Sequence, residues 1–185
     1  MVLIRTQRLA LREYTLDDWP TLLAYQSDPR YLRYYPWTER SAVTVREWVT
    51  SLVARQTDEP RDVLQLAITL PAEEGRLIGS CGVRLNDRAR REGNIGYELN
   101  PEYWGRGYAT EAARAMLSYG FDQLDLHRVW AQCNAENIGS AHILEKLGMR
   151  REAHFREHDY FKGRWWGSFI YAMLDYEWRV SITPQ

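Results

Sequence analysis

Cysteine is nearly absent: Cys81 and Cys133 are the only two in 185 residues. They stand far apart inside apolar runs, which argues against a disulfide framework and against closely spaced zinc ligands. Excess charge is missing as well. With 24 basic and 25 acidic residues the formal net charge is −1, so long-range attraction to nucleic acid or to an anionic membrane is not the expected mode of action. Any contact with a polyanion has to be local. Long hydrophobic runs are also lacking. The start MVLIRTQRLALRE offers three apolar residues after Met1 before Arg5, too few for a signal peptide, and no window approaches a membrane span. These absences predict a cytoplasmic protein with no membrane partner, no direct nucleic-acid partner and no metal.

What is there is ordinary soluble material, 45% hydrophobic and 26% charged. A chain of this length is expected to fold as a single domain, 1–185, and to bury roughly two-thirds of its unfolded surface. Alternation of Leu9, Leu11 and Glu13 with Arg8, Ala10 and Arg12 predicts a first strand, and Thr15-Leu-Asp17-Asp18 a helix start, with that helix running to about Gln26. Residues 41–55 form a second helical stretch on Val43, Val45, Trp48, Leu52 and Val53. Three short apolar runs, 63–70, 77–85 and 94–99, separated by polar turns, read as an antiparallel meander. Ala109, Ala112, Ala113, Met116, Leu117, Gly120, Phe121 and Leu124 then recur at helical spacing, which predicts one buried helical face. A strand at 128–133, a helix from Asn137 to Leu147 stopped by Gly148, and two strands at about 150–160 and 168–178 complete an α+β domain around a mixed sheet.

Between strand 94–99 and the long helix lies NPEYWGRGYATEA, where Gly105 and Gly107 precede a helix-forming run. Glycine there permits φ > 0 and close approach, so free N–H groups at the helix start can converge on an anion. Three or four such groups, at about 1.5–3 kcal/mol each to ionised oxygens, can hold a diphosphate without a basic cluster. The glycines can also merely turn a corner. A Walker-type loop is excluded because its Lys-Ser/Thr ending is missing. A dinucleotide fold is disfavoured by Thr110 in place of a third glycine and by a following strand that ends Gln132-Cys133-Asn134 without an acid.

Gly105-Arg106-Gly107-Tyr108-Ala109 resembles the pyrophosphate-binding signature of the GCN5-related N-acetyltransferases, Gln/Arg-x-x-Gly-x-Gly/Ala. The stretch from YELNPEYWGRGYATEA to CNAENIGSAHILEKLGM is similar to the branch that acetylates ribosomal-protein N-termini. The resemblance implies a single-domain fold with a mixed sheet of about seven strands, splayed at the cofactor site and flanked by about four helices. It implies acetyl-CoA as acetyl donor and an amine acceptor, either a protein N-terminus or a small molecule, and it allows a homodimer. The diphosphate would sit on the N–H groups of Gly105, Arg106, Gly107, Tyr108, Ala109 and Thr110. Glu98, Leu99, Trp104, Asn134, Asn137, Ser140 and Lys146 would complete the cofactor side, with Trp104 at the usual Gln/Arg position.

Acetyl transfer needs a neutral amine, a polarised carbonyl and a proton for the departing thiolate. By the same resemblance Ser140 would supply the proton and Asp159 would act as base, while a strand N–H near Leu99 would polarise the carbonyl. The tyrosine acid of many relatives falls at Leu144, which puts weight on Ser140, and Gly167 stands where relatives often have aspartate. Glu98 and Glu92 are rival bases. His154 and His158 share a strand face but lie too far apart for one metal. Two aromatic clusters, with Tyr34, Tyr35 and Trp37 in one and Tyr160 and Trp165 in the other, are expected to line the acceptor side. Two other classes compete: an RNA-binding module stacking bases on those aromatics, and a CoA-binding regulatory module without catalysis.

Overall fold

Periods of two become strands and periods of 3.6 become helices along nearly the whole chain. The computed structural model describes residues 2–182. In chain order the elements are β1 (Leu3–Arg5), β2 (Ala10–Arg12), α1 (Trp19–Gln26), α2 (Pro29–Leu32), α3 (Ala42–Ala54), β3 (Val63–Leu70), β4 (Arg76–Asp87), β5 (Glu92–Leu99), α4 (Tyr108–Ser118), β6 (Arg128–Asn134), α5 (Ile138–Lys146), β7 (Arg150–Phe161), β8 (Arg164–Leu174) and α6 (Asp175–Ile182). The sheet order is β1-β2-β3-β4-β5-β6-β8-β7. It is mixed, because β5 runs parallel to β6 while β8 is antiparallel to both its neighbours. The expected α+β class is what is found, with eight strands against about seven and six α-helices against about four among the described residues.

Two of the additional elements, β1 and α2, span three and four residues, too few to show a period. The third, α6, stands where a strand was expected to run to 178. Strand β8 stops at Leu174 because Glu177 reaches back: the Leu174 N–H donates to Glu177 Oε2 at 3.0 Å, the returning half of a capping box.

Two compact units make up the chain, Met1–Gly82 with Tyr97–Ala112, and Val83–Gly96 with Ala113–Gln185. The first has a core of Tyr14, Leu22, Tyr25, Tyr31, Leu32, Val45, Val49, Leu52, Ala67 and Leu77. Helix α3 gives it Val45, Val49 and Leu52, spaced i, i+4, i+7, and their burial contributes about 1.5–3 kcal/mol apiece. Val43, expected on that face, is exposed because it falls on the opposite side of the helix. Ser41 caps the start, its Oγ accepting from the Thr44 N–H at 3.1 Å.

In the second unit Ala113, Met116 and Leu117 of α4, the alternate β6 residues Val129, Ala131 and Cys133, and Leu144 and Leu147 are all buried. Strands β7 and β8 form a hairpin whose turn is only Lys162-Gly163, both at positive φ, 51° and 74°. The longer expected turn, FKGRWWG, is therefore mostly strand. Pairing jumps from Phe155↔Ser168 to Asp159↔Trp166, so residues 156–158 oppose Gly167 alone. That bulge breaks the simple alternation expected of His154 and His158.

Candidate functional site

In the first unit the chain leaves β5 through a tight turn before entering α4. Asn100 Oδ1 accepts from the Glu102 N–H at 3.0 Å, and the Trp104 indole donates to the Leu99 carbonyl at 2.8 Å. Trp104 thus ties the loop to the strand end. Gly105 and Gly107 have φ of 75° and 79°, the left-handed region that other residues reach only with strain. The first helical hydrogen bond is Glu111 N–H to Gly107 O, at 3.1 Å. None of the backbone N–H groups of residues 105–110 has an acceptor among the described residues. Six amides therefore remain unused at the start of a helix, where the backbone dipole favours an anion.

Glu98 in the same unit is held from three sides. Its Oε1 accepts from the Tyr25 hydroxyl at 2.7 Å and Gln26 Nε2 at 2.8 Å, and its Oε2 from the Tyr31 hydroxyl at 2.5 Å. Burial first, and then the Glu98 charge, pushes the phenols of Tyr25 and Tyr31 well up, so both stay protonated donors. Sequence reasoning missed these three partners. The one available signal was Gln26, a polar residue buried at the end of an otherwise apolar helix face.

Tyr31 begins an aromatic stack, with ring centroids 4.8 Å from Tyr35, which in turn lies 4.7 Å from Trp37. Arg40 covers Trp37 at 5.0 Å. Of the expected acceptor residues, Tyr35 and Trp37 are thus joined to Glu98 through Tyr31, whereas Tyr34 lies against Arg33 instead. Tyr31, Tyr35 and Trp37 thus turn ring faces toward one another, whereas Tyr160 and Trp165 of the other cluster are exposed.

The second unit holds the other expected residues. Asn134 Oδ1 accepts from the Glu136 N–H at 2.9 Å, and Asn137 Oδ1 from the Ser140 N–H at 3.1 Å, so both oxygens serve the turn and cap that start α5. Their amide NH₂ groups are not needed for that. The Ser140 side chain hydrogen-bonds the Cys133 thiol, which burial pushes up to about 11 despite that bond. Leu144 is buried in the core. Lys146 is exposed, with its carbonyl facing Arg114 at 3.4 Å.

Asp159 lies beyond the β7 bulge, half-exposed, and Oδ2 accepts from the Ser168 hydroxyl at 3.3 Å. Ser168 is itself buried and accepts from Gln132 Nε2 at 3.2 Å, and His158 Nδ1 stands 3.6 Å from the same carboxylate oxygen. Ser140 and Asp159 belong to one unit, without a hydrogen bond between them. Gly167 is explained by the bulge: a Cβ there would lie 3.0 Å from the Phe155 carbonyl oxygen and 3.3 Å from His154 Nε2. Tyr160 and Trp165 meet edge to face at 5.1 Å across the hairpin. Glu92, a rival base, is paired with Arg128 at 3.1 Å.

Strands β5 and β6 pair from Glu92↔Arg128 to Asn94↔Trp130. Beyond Trp130, β6 continues to Asn134 with its pairing to β8 intact. A Cβ at Gly96 would have nothing within 4 Å. The parallel pair therefore parts after three residues, as a splayed sheet requires.

Comparison with known proteins places the chain in a family and a fold. Residues 8–150 match the family model for the acetyltransferase (GNAT) domain. The chain is 34% identical over 175 residues to the uncharacterized N-acetyltransferase YnaD of Bacillus subtilis, covering 95% of this chain and 98% of that one. Its fold superimposes on a GNAT-family acetyltransferase from Bacillus anthracis with a TM-score of 0.82 at 31% identity, over 95% of this chain and all (100%) of the other. RimL, a ribosomal L7/L12 α-N-protein acetyltransferase crystallised with coenzyme A, shares the fold at a TM-score of 0.81 and 17% identity, over 94% and 99% of the two chains.

Proposed function

Because this chain belongs to the acetyltransferase (GNAT) family, we propose that it moves an acetyl group from acetyl-CoA to a primary amine by direct attack on the thioester. The observation that carries the donor is the set of unbonded amides at 105–110. Charge-assisted bonds to a diphosphate are worth about 1.5–3 kcal/mol each, so a few suffice for micromolar affinity.

The residues divide the chemistry as follows. Gly105 to Thr110 hold the diphosphate, and the amide NH₂ groups of Asn134 and Asn137 meet the pantetheine arm. Leu99 contributes a main-chain N–H toward the thioester carbonyl. Asp159, kept in place by Ser168, accepts the proton from the acceptor amine, and Ser140 returns a proton to the CoA thiolate as the carbon–sulfur bond breaks. An α-amine of pKa about 7.7 costs roughly 1 kcal/mol to deprotonate at pH 7, against nearly 5 kcal/mol for a lysine, so a half-exposed carboxylate is a sufficient base for the former. A protein N-terminus or a small-molecule amine of similar basicity is the acceptor class. Tyr35, Trp37, Tyr160 and Trp165 bind it through apolar area.

Calorimetry with CoA and a thiol-release assay against an amine and peptide panel test the reading together. Micromolar CoA binding with amine-dependent thiol release is expected; no heat with CoA and no released thiol with any amine would sink it.

A further inference from the structure

The loop that carries the unbonded amides is gripped by a residue near the start of the sequence. Arg8 lies in the connection between β1 and β2, and its side chain crosses to the loop in three ways. Nη1 donates to the Arg106 carbonyl at 2.9 Å, Nε donates to Glu111 Oε2 at 2.7 Å, and the guanidinium lies over the Tyr108 ring at 4.6 Å. The Arg8 backbone N–H donates to Glu111 Oε1 at 2.8 Å, and the Thr6 hydroxyl donates to the same oxygen at 2.6 Å. Glu111 thus spends both oxygens on the segment 6–8.

Two physical consequences follow. In a trans peptide the carbonyl and the next N–H point in opposite directions. Holding the Arg106 oxygen toward Arg8 therefore turns the Gly107 N–H away from Arg8, outward from the loop. Arg8 Nη2 lies alongside, 3.4 Å from where a Gly107 Cβ would be, so the guanidinium backs the loop at that residue. The second consequence is electrostatic. Glu111 stands in the first turn of α4, where an unpaired carboxylate would repel a second anion at the helix start. Its side chain is 16% exposed. Burial alone would raise its carboxyl, but the Thr6 and Arg8 hydrogen bonds outweigh burial and keep it ionised. Arg8 cancels that charge within bonding distance.

We propose that Arg8 is a positioning residue for diphosphate recognition: it sets the 106–107 peptide so that its N–H faces the ligand, and it neutralises Glu111 at the helix start. This rests on the acetyl-CoA reading above. It assigns a role to a residue outside the glycine motif, and it makes Arg8, Glu111 and the loop one unit of recognition.

The test compares two donors. S-acetylpantetheine carries the thioester and arm of acetyl-CoA but no diphosphate. In Arg8→Ala the KM for acetyl-CoA should rise at least tenfold at nearly unchanged kcat, the Kd for CoA should rise in parallel, and kcat/KM for S-acetylpantetheine should stay within about twofold. Arg8→Lys, which keeps the charge but not the fork, should fall between wild type and Arg8→Ala. Adding Glu111→Gln to Arg8→Ala should recover at least threefold of the lost affinity, because it removes the charge that Arg8 had cancelled. Equal losses with both donors would make Arg8 a merely structural residue and overturn the proposal, as would unchanged CoA affinity in Arg8→Ala. Wild-type protein that fails to bind CoA would overturn the cofactor reading and this proposal together; wild-type binding with unaffected variants overturns this proposal alone.

Discussion

The Tyr31 hydroxyl donates to Glu98 Oε2 at 2.5 Å, joining side chains 67 positions apart in the sequence. With Tyr25 and Gln26 on the other oxygen, the carboxylate has three donors in a partly buried site. Tyr31→Phe removes one charge-assisted bond from this set, and a hydrogen bond to a charged group contributes about 1.5–3 kcal/mol. Urea denaturation should show a loss of that size at unchanged m. A loss below about 0.5 kcal/mol would mean that the trio does not hold the strand end.

Gly107→Ala tests the loop itself. Its φ of 79° is strained for any side chain, and the new Cβ would lie 3.4 Å from Arg8 Nη2. Left-handed backbone costs a non-glycine residue about 1–2 kcal/mol, so the loop should relax away from its present geometry. CoA affinity should fall about tenfold or more by calorimetry, with the melting temperature lowered by only a few degrees. Gly163→Ala, at a similar φ of 74° in the β7–β8 turn, is the control that should leave CoA affinity unchanged.

Ser140→Ala and Asp159→Ala are expected to lower kcat by about 10²–10⁴, the usual range for a general acid or base, while the Kd for CoA stays within threefold. Ser168→Ala should lower kcat less, since it loosens Asp159 without removing it. Wild-type turnover in both Ser140→Ala and Asp159→Ala would reassign the proton transfers.

The Arg12–Asp18 pair makes stability depend on pH. Both terminal guanidinium nitrogens reach the carboxylate, at 2.7 and 2.8 Å, and the Thr15 N–H adds a third bond at 2.7 Å. Burial pushes the Asp18 carboxyl up, but these bonds outweigh it and hold it below its ordinary value of 3.8. A depressed folded-state pKa means that the stabilisation is complete above the unfolded value and fades as pH falls through the folded one. The stability gap between wild type and Asp18→Asn should therefore be constant from pH 7 to 5 and shrink below about pH 4. A gap that persists unchanged at pH 2 would show that charge is not its source.

How far the sequence predicts these features depends on whether their cause is local. Ala112, Ala113, Met116 and Leu117 are all fully buried, as their helical spacing requires, and Gly105 and Gly107 take the positive φ that glycine advertises. The end of β8 was harder, because the run FIYAMLDYEW is apolar and aromatic apart from Asp175 and Glu177, which alone mark a helix start. The β7 bulge was not legible at all, since pairing of three residues against one is a property of both strands together. Nor were Glu98 with Tyr25 and Tyr31, or Arg8 with Glu111: partners 67 to 103 residues apart leave no spacing to read.

The early parting of β5 and β6 has a consequence for what can be bound there. Among the described residues no strand pairs with β6 beyond Trp130 on the side that faces away from β8, which leaves main-chain groups there without a ladder partner. Main-chain groups in that state select by shape and hydrogen-bond rhythm, not by side-chain chemistry. A thin linear molecule with amides spaced along it can satisfy them, and a bulky ring or a branched sugar cannot. On the proposed function, the uncharged arm that delivers the acetyl group is chosen by its slenderness, and the diphosphate by its charge.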